Sequence, residues 1–217
     1  MYLVKTPWLL RKWYASLTWK MPADEKTIYL TFDDGPHEQA TPFVLAQLKQ
    51  YNAKGTFFCI GKNVVAYPDI YRQVIAEGHA VGNHTHNHVN GWKTGDKQYL
   101  SNVLEAAKYI DSDLFRPPYG RITRFQTTLL QKAAVRGLHT GVKAGANGFR
   151  IIMWSVLSGD FDVKLSPEQC LQNVLLNVEP GSIVVFHDST KAWNRLQYAL
   201  PGVLEALKKQ GYQFKSL

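Results

Sequence analysis

At 217 residues, with 45% hydrophobic and 12% aromatic content, the chain holds enough apolar material for one substantial core, which excludes a disordered polypeptide. Lysine and arginine number 25 against 17 aspartates and glutamates, a formal charge of +8 that suits anionic partners. The basic residues are scattered, without zinc-finger or RNP-like spacing, so nucleic acid is set aside as a partner, and the absence of any apolar run of about 18 residues excludes a transmembrane helix.

Residues 1–25 read as a basic, aromatic segment in which Trp8, Trp13 and Trp19 interleave with Arg11, Lys12 and Lys20. Its apolar runs are short and no small-residue cleavage site follows them, so it does not read as a secretory signal. With no signal and no span visible, the expected location is the cytoplasm or the periphery of the cell envelope. The preferred reading has this segment packing across one end of the fold; contact with a membrane interface or the cell wall is the alternative.

From Thr27 onward, strand-like runs alternate with helix-like periodic segments. The strand candidates are TIYLTF (27–32), GTFFCI (55–60), HAVGNH (79–84), LFRPP (114–118), FRIIMWSV (149–156), SIVVFHD (182–188) and a short last one in YQFKSL. The segments between them carry apolar residues at spacings of three and four, and several start at Ser, Thr, Pro or Asp and stop near Gly or Asn. With no Pro- or Ser-rich linker, residues 26–217 are expected to form a single α/β domain, a distorted (β/α) barrel of about seven parallel strands. The stretch 138–148 reads as a loop insertion. Cys59 and Cys170 read as buried thiols.

In a parallel barrel the carboxyl ends of the strands meet on one face, where catalytic groups collect. The first strand ends in Asp33-Asp34-Gly35-Pro36, the third in Asn83-His84-Thr85-His86-Asn87-His88, the fourth in Arg116-Pro117-Pro118-Tyr119-Gly120, the fifth in Trp154 and then Asp160, the sixth in His187-Asp188. A DG pair alone is an ordinary turn, but two adjacent anions at a strand end repel each other and call for a cation. His84 and His88, four apart, share a face if their loop winds into a helical turn. Two imidazoles and one carboxylate make a three-ligand set with open positions, as in catalytic rather than structural zinc sites. His86 would point away from that face.

The five motifs together resemble the polysaccharide deacetylase family, which carries the NodB homology domain and is also called carbohydrate esterase family 4. TFDDGP, HTHNH and RPPYG match its first three motifs; Trp154 with Asp160-Phe161 and Val185-Phe186-His187 stand for the last two, with Phe161 and Val185 departing from the usual tryptophan and leucine. The resemblance implies a divalent metal, zinc ahead of cobalt, nickel or manganese, on Asp34, His84 and His88, with Asp33 as general base. It further implies that Arg116 holds Asp33, that Asp160 pairs with Arg116, that His187 is the general acid, and that the backbone N–H of Tyr119 stabilises the oxyanion. Trp154, Phe161, Val185 and Pro118 are expected in the substrate pocket. The implied activity is removal of N-acetyl groups from N-acetylglucosamine residues of peptidoglycan or chitin-type chains. An O-acetyl esterase acting on acetylated xylan or another glycan, and a catalytically silent carbohydrate-binding relative, are the alternatives.

Overall fold

The computed structural model describes residues 2–22, 25–132 and 148–217; the expected insertion at 138–148 lies outside them except for Gly148. A curled, wholly parallel sheet runs in the order β5 (Arg150–Ile151), β4 (Leu114–Phe115), β3 (Ala80–Asn83), β2 (Gly55–Cys59), β1 (Thr27–Asp33), β7 (Ile183–His187), β6 (Val156–Leu157), and the short β8 (Gln213–Phe214) also pairs with β1. β1 lies mid-sheet because its sequence suits burial on both faces: all its residues except Tyr29 are buried.

The helices follow their sequence signals closely. Ser166 and Thr123 each close a capping box with a glutamine three residues on, opening α7 (Pro167–Leu175) and α6 (Arg124–Gln131). α8 (Trp193–Lys209) buries Leu196, Leu200, Val203, Leu204 and Leu207, one stripe at helical spacing, against α7 and the outer face of the sheet. α2 (Ala40–Gln50), α3 (Gly61–Ala66), α4 (Pro68–Ala76) and α5 (Asp96–Ala107) complete the helices between the early strands, and α1 (Trp8–Trp13) precedes the sheet.

One expected strand is interrupted. The run 149–156 is two short strands at opposite edges of the sheet, with residues 152–155 crossing between them. The cause is competition for the backbone: the carbonyls of Ile152 and Met153 accept from the Arg116 side chain, and Met153 N donates to Thr18. The N-terminal segment reaches both edges, through bridges of Lys5 with Val156 and of Thr18 with Ile152. Those contacts occupy edge groups that would otherwise be left for another chain.

Beneath the end of β1, Asp188 is fully buried and clamps the turn that follows the strand. Its carboxylate accepts from Gly35 N at 3.0 Å and from Thr41 Oγ1 at 2.5 Å, while Asp188 N donates to Asp33 O. A Cβ at Gly35 would stand 2.1 Å from Asp188 Oδ2, a short side chain that two hydrogen bonds prevent from yielding. Gly35→Ala is therefore expected to cost about 1–3 kcal/mol in a urea titration. Gly95→Ala, where the new Cβ meets nothing within 4 Å, is expected to stay within about 0.5 kcal/mol.

Candidate active and metal site

β1 and β7 are in register so that Asp33 faces His187 across the pair. Asp33 and Asp34 leave the sheet in opposite senses. Asp33 is buried and accepts from Arg116 Nη1 at 2.7 Å, whereas Asp34 turns out with φ at 82° and brings its carboxylate to the histidine loop. Asn63 Nδ2 holds the Asp34 carbonyl at 2.7 Å.

The expected helical turn at 84–88 does not form. Those residues are a loop in which Thr85 and His88 take left-handed backbone, with φ at 63° and 54°. Side chains fix its shape: Asn83 Oδ1 accepts from Thr85 N, Asn102 Oδ1 from both His86 N and Asn87 N, and Thr85 Oγ1 from Val89 N. The loop nonetheless does what the helix was expected to do, since Asp34, His84 and His88 each present a ligand atom and these atoms lie within 4.8 Å of one another. His86 lies elsewhere, its ring beside Tyr109.

The donor chemistry fits a metal. His84 Nδ1 is 2.8 Å from the Arg116 carbonyl, which can only accept, so Nδ1 carries the hydrogen and Nε2 is bare. Burial first, and then His88, press the His84 imidazole down to about 4, so it is neutral at physiological pH. Among the described residues no hydrogen-bond donor meets the buried Asp34 Oδ1, although His84 Nε2 and His88 Nε2 stand at 3.7 and 3.1 Å from it. The bare His84 Nε2 and the Asp34 carboxylate oxygen set lone pairs toward each other, an arrangement that a cation between them would relieve. Burial opposes the Asp34 anion, but the His88 contact and the positive field of His187 outweigh it and hold the carboxyl well below the carboxylate range.

Arg116 is fully buried, and its four hydrogen bonds go to Asp33, Thr31 Oγ1, Ile152 O and Met153 O. None goes to Asp160, which corrects the expected pairing. Asp160, also fully buried, instead accepts from His187 Nδ1 at 2.8 Å and from His187 N at 2.7 Å. The reason is one of supply: the carbonyls of the interrupted strand already meet Arg116, while the imidazole at the end of β7 has no other anion so near. Burial disfavours the imidazolium, but Asp160, with smaller help from Asp34 and Asp33, pushes His187 up to about 9.

These groups open on one cavity of about 650 Å³. Its walls include Tyr119, Trp154, Phe161 and Val185; Pro117 also meets the cavity, whereas Pro118, expected there, is buried where it opens the short 3-10 turn 118–120. Tyr119 has φ at 60° in that turn and reaches His88 Nδ1 through its hydroxyl at 3.1 Å. Sequence reasoning missed Tyr2, Trp92, Lys93, Arg121 and Lys191, which also line the cavity. Tyr2 packs its ring on Phe161 at 5.0 Å and donates to Asp162. Trp92 and Arg121 stack at 4.0 Å. Trp92 and Arg121 follow the second and third motifs by a few residues, a signal of proximity that could have been used; nothing in the sequence marks Tyr2.

Among known proteins, residues 20–139 match the family model described as polysaccharide deacetylase. A peptidoglycan-N-acetylglucosamine deacetylase of Bacillus cereus is 35% identical over 204 residues, covering 91% of this chain and 89% of the relative. A chitooligosaccharide deacetylase of Azorhizobium caulinodans is 31% identical over 216 residues, covering 91% and 96%. A crystal structure of a peptidoglycan N-acetylglucosamine deacetylase in complex with an N-oxidanyl-benzamide superposes with a TM-score of 0.82 at 30% identity, over 98% of this chain and 95% of that one.

The His187–Asp160 pair gives a titration test. The folded protein binds the His187 proton more tightly than the unfolded chain does, so the pair's stabilisation is complete below about 6.5 and is lost as the pH rises through about 9. In an NMR titration of the metal-free protein, the His187 ring is expected to titrate near 9, and Asp160→Asn to bring it back toward the ordinary range. A midpoint unmoved by Asp160→Asn would show that the pair does not set the charge.

Proposed function

The chain belongs to the polysaccharide deacetylase family, and from that premise we propose that it is a hydrolase that releases acetate from the N-acetyl groups of N-acetylglucosamine residues in a glycan chain. The relatives that act on peptidoglycan and on chitooligosaccharide support this substrate class. The observation that carries the reading is the convergence of three potential metal-ligand atoms, a braced carboxylate and an imidazole paired with a buried carboxylate on one cavity.

In this reading Asp34, His84 and His88 would hold a divalent cation, zinc ahead of cobalt, nickel or manganese, because two imidazoles and one carboxylate suit a borderline cation better than a hard one. Such a cation supplies Lewis acidity toward water and the acyl oxygen. Asp33 receives the proton of the attacking water, and Arg116 is the positioning residue that fixes its carboxylate. The Tyr119 backbone N–H is assigned to the developing oxyanion. His187 carries its proton at neutral pH, with Nδ1 committed to Asp160, and delivers one from Nε2 to the departing nitrogen. An amine leaves poorly without that proton. An alkoxide from an acetyl ester depends on it less, so the charged His187 favours amide over ester substrates.

The cleft wall bears Lys93, Arg121 and Lys191, none of them in an ion pair among the described residues. The carboxylates on that wall, Asp33 and Asp34, are engaged by Arg116 and by the imidazoles. An excess of unmatched positive charge favours glycan strands that carry carboxylates, as peptidoglycan does, over neutral chitin-type chains.

Asp33→Asn and His187→Ala are each expected to slow acetate release from N-acetylglucosamine oligomers by about 10²–10⁴ while zinc content, measured by elemental analysis, stays near that of the parent. The His187→Ala defect is expected to shrink on an aryl acetate, whose leaving group needs no proton; the Asp33→Asn defect is expected to persist. A parent protein that releases no acetate from any acetylated glycan sinks the reading and favours a silent binding relative. For the rim, Lys93→Ala with Lys191→Ala is expected to lower the ratio of kcat/KM on carboxylate-bearing to neutral strands by about threefold to tenfold, and high salt to do the same to the parent. A ratio unmoved by either would leave the rim without a part in substrate choice.

A further inference from the structure

We propose that residues 3–14 are a docking surface for the anionic headgroup layer of a phospholipid bilayer. The proposal does not rest on the deacetylase reading. The segment is tied down on both sides. Thr6 N donates to Ser155 O and Thr6 Oγ1 to Trp154 O, while Thr18 N donates to Ile151 O, and Leu17 and Trp19 are buried in the cluster around Tyr99, Phe115 and Phe149. Between these anchors α1 buries none of its residues.

The exposure is large and concentrated along the chain. Trp8 is 62% exposed, Trp13 75% and Leu9 60%, with Leu3, Leu10 and Tyr14 also exposed. Single exposed apolar residues are ordinary on a soluble protein; a run of six within twelve residues marks a surface meant to be covered. A six-residue helix with no side-chain N-cap and no buried face is also too short to hold in water by its own hydrogen bonds. Its composition says what covers it. Tryptophan joins an apolar ring to a polar N–H and collects at the headgroup level of bilayers, and lysine can lay its stem along apolar surface while its ammonium reaches outward.

Charge then selects the lipid. Residues 2–22 contain Lys5, Arg11, Lys12 and Lys20 and no aspartate or glutamate. The carboxylate facing them is Glu179, bound to Lys20 at 3.0 Å and further lowered in pKa by Lys5 and Arg11. Lys12 is exposed and forms no ion pair among the described residues. Lys20 is matched by Glu179, and within residues 3–14 Lys5, Arg11 and Lys12 form no ion pair among the described residues, which favours an anionic surface, each near-surface cation adding about fivefold to partitioning. Two copies of this face pressed together would set like charges against each other, which argues against self-association as the cover.

Co-sedimentation of the full chain with vesicles is the test. The parent is expected to bind vesicles of mixed phosphatidylcholine and phosphatidylglycerol and to bind pure phosphatidylcholine markedly less. Trp8→Ser with Trp13→Ser is expected to weaken that binding at least about tenfold, and Lys5→Glu with Lys12→Glu about tenfold or more at low salt. Both variants are expected to keep the parent's melting temperature and its activity on soluble acetylated oligomers, since neither pair touches the cleft or the core. Failure of the parent to bind anionic vesicles overturns the proposal, as does equal binding to both vesicle types. A concentration-dependent dimer that the tryptophan variants dissociate, seen by light scattering, overturns it in favour of a second copy.

Discussion

The mouth of this barrel depends on one buried guanidinium. Arg116 has no exposure to solvent, and a charge taken out of water is tolerated only where its N–H groups are met. Here they are met from two sides: Asp33 and Thr31 on β1, and two consecutive carbonyls, Ile152 and Met153, in the crossing between β5 and β6. The face of Phe58, 4.1 Å away, closes another side. Burial pulls the Arg116 pKa down and Asp33 pulls it back up, so neither partner is stable there without the other. Breaking such a pair from one side typically costs about 3–5 kcal/mol.

That constraint propagates outward. The carbonyls that serve Arg116 cannot continue a ladder, so the strand breaks; the broken stretch has N–H groups to place, and the N-terminal segment takes one of them through Thr18 O. The sheet's interruption and the strap across its edges thus share a cause. The second charge pair repeats the logic with reversed polarity. His187, the register partner of Asp33, is anchored by a fully buried Asp160, whose backbone carbonyl in turn accepts from Arg195. A carboxylate backed by a cation and a cation backed by a carboxylate therefore stand on neighbouring strands, about 5 Å apart by sheet geometry. Asp34, which meets His84 and His88 of the neighbouring loop, is the residue that follows Asp33.

Much of this was legible from residue order alone, because strand ends are easy to locate and their polar residues are few. TIYLTF could only be a buried strand, so Asp33 and Asp34 had to emerge at its end; the same reasoning placed His84, Arg116 and His187 on one face. The failures are of another kind. Whether Asp160 meets Arg116 or His187 depends on where the carbonyls of 152 and 153 point, a tertiary fact with no local signature. The break inside FRIIMWSV is equally silent, since every residue in it has ordinary strand propensity. Tyr2 reaches the cleft only because the N-terminal segment is laid along the sheet edge. Its residue type and neighbours say nothing of that.

The histidine loop shows why a spacing can be right for the wrong reason. On a helix, residues four apart share a face, and two imidazoles so placed can reach one ion. Here the same two residues reach that point from a loop instead, because the backbone turns at Thr85 and His88. Among the described residues, five non-glycine positions have positive φ, and four of these, Asp34, Thr85, His88 and Tyr119, lie in the site loops. Left-handed backbone costs such residues about 1–2 kcal/mol each. The strain persists because the loops are over-determined: Asn102 and Asn83 hold the histidine loop, Asn63 holds the Asp34 carbonyl, and Asp188 holds Gly35 from below. Stability drawn from the buried sheet and helices is thereby converted into fixed positions for a few ring nitrogens and carboxylate oxygens, which is the form in which a fold serves a reaction whose water, proton donor and proton acceptor must already be in place.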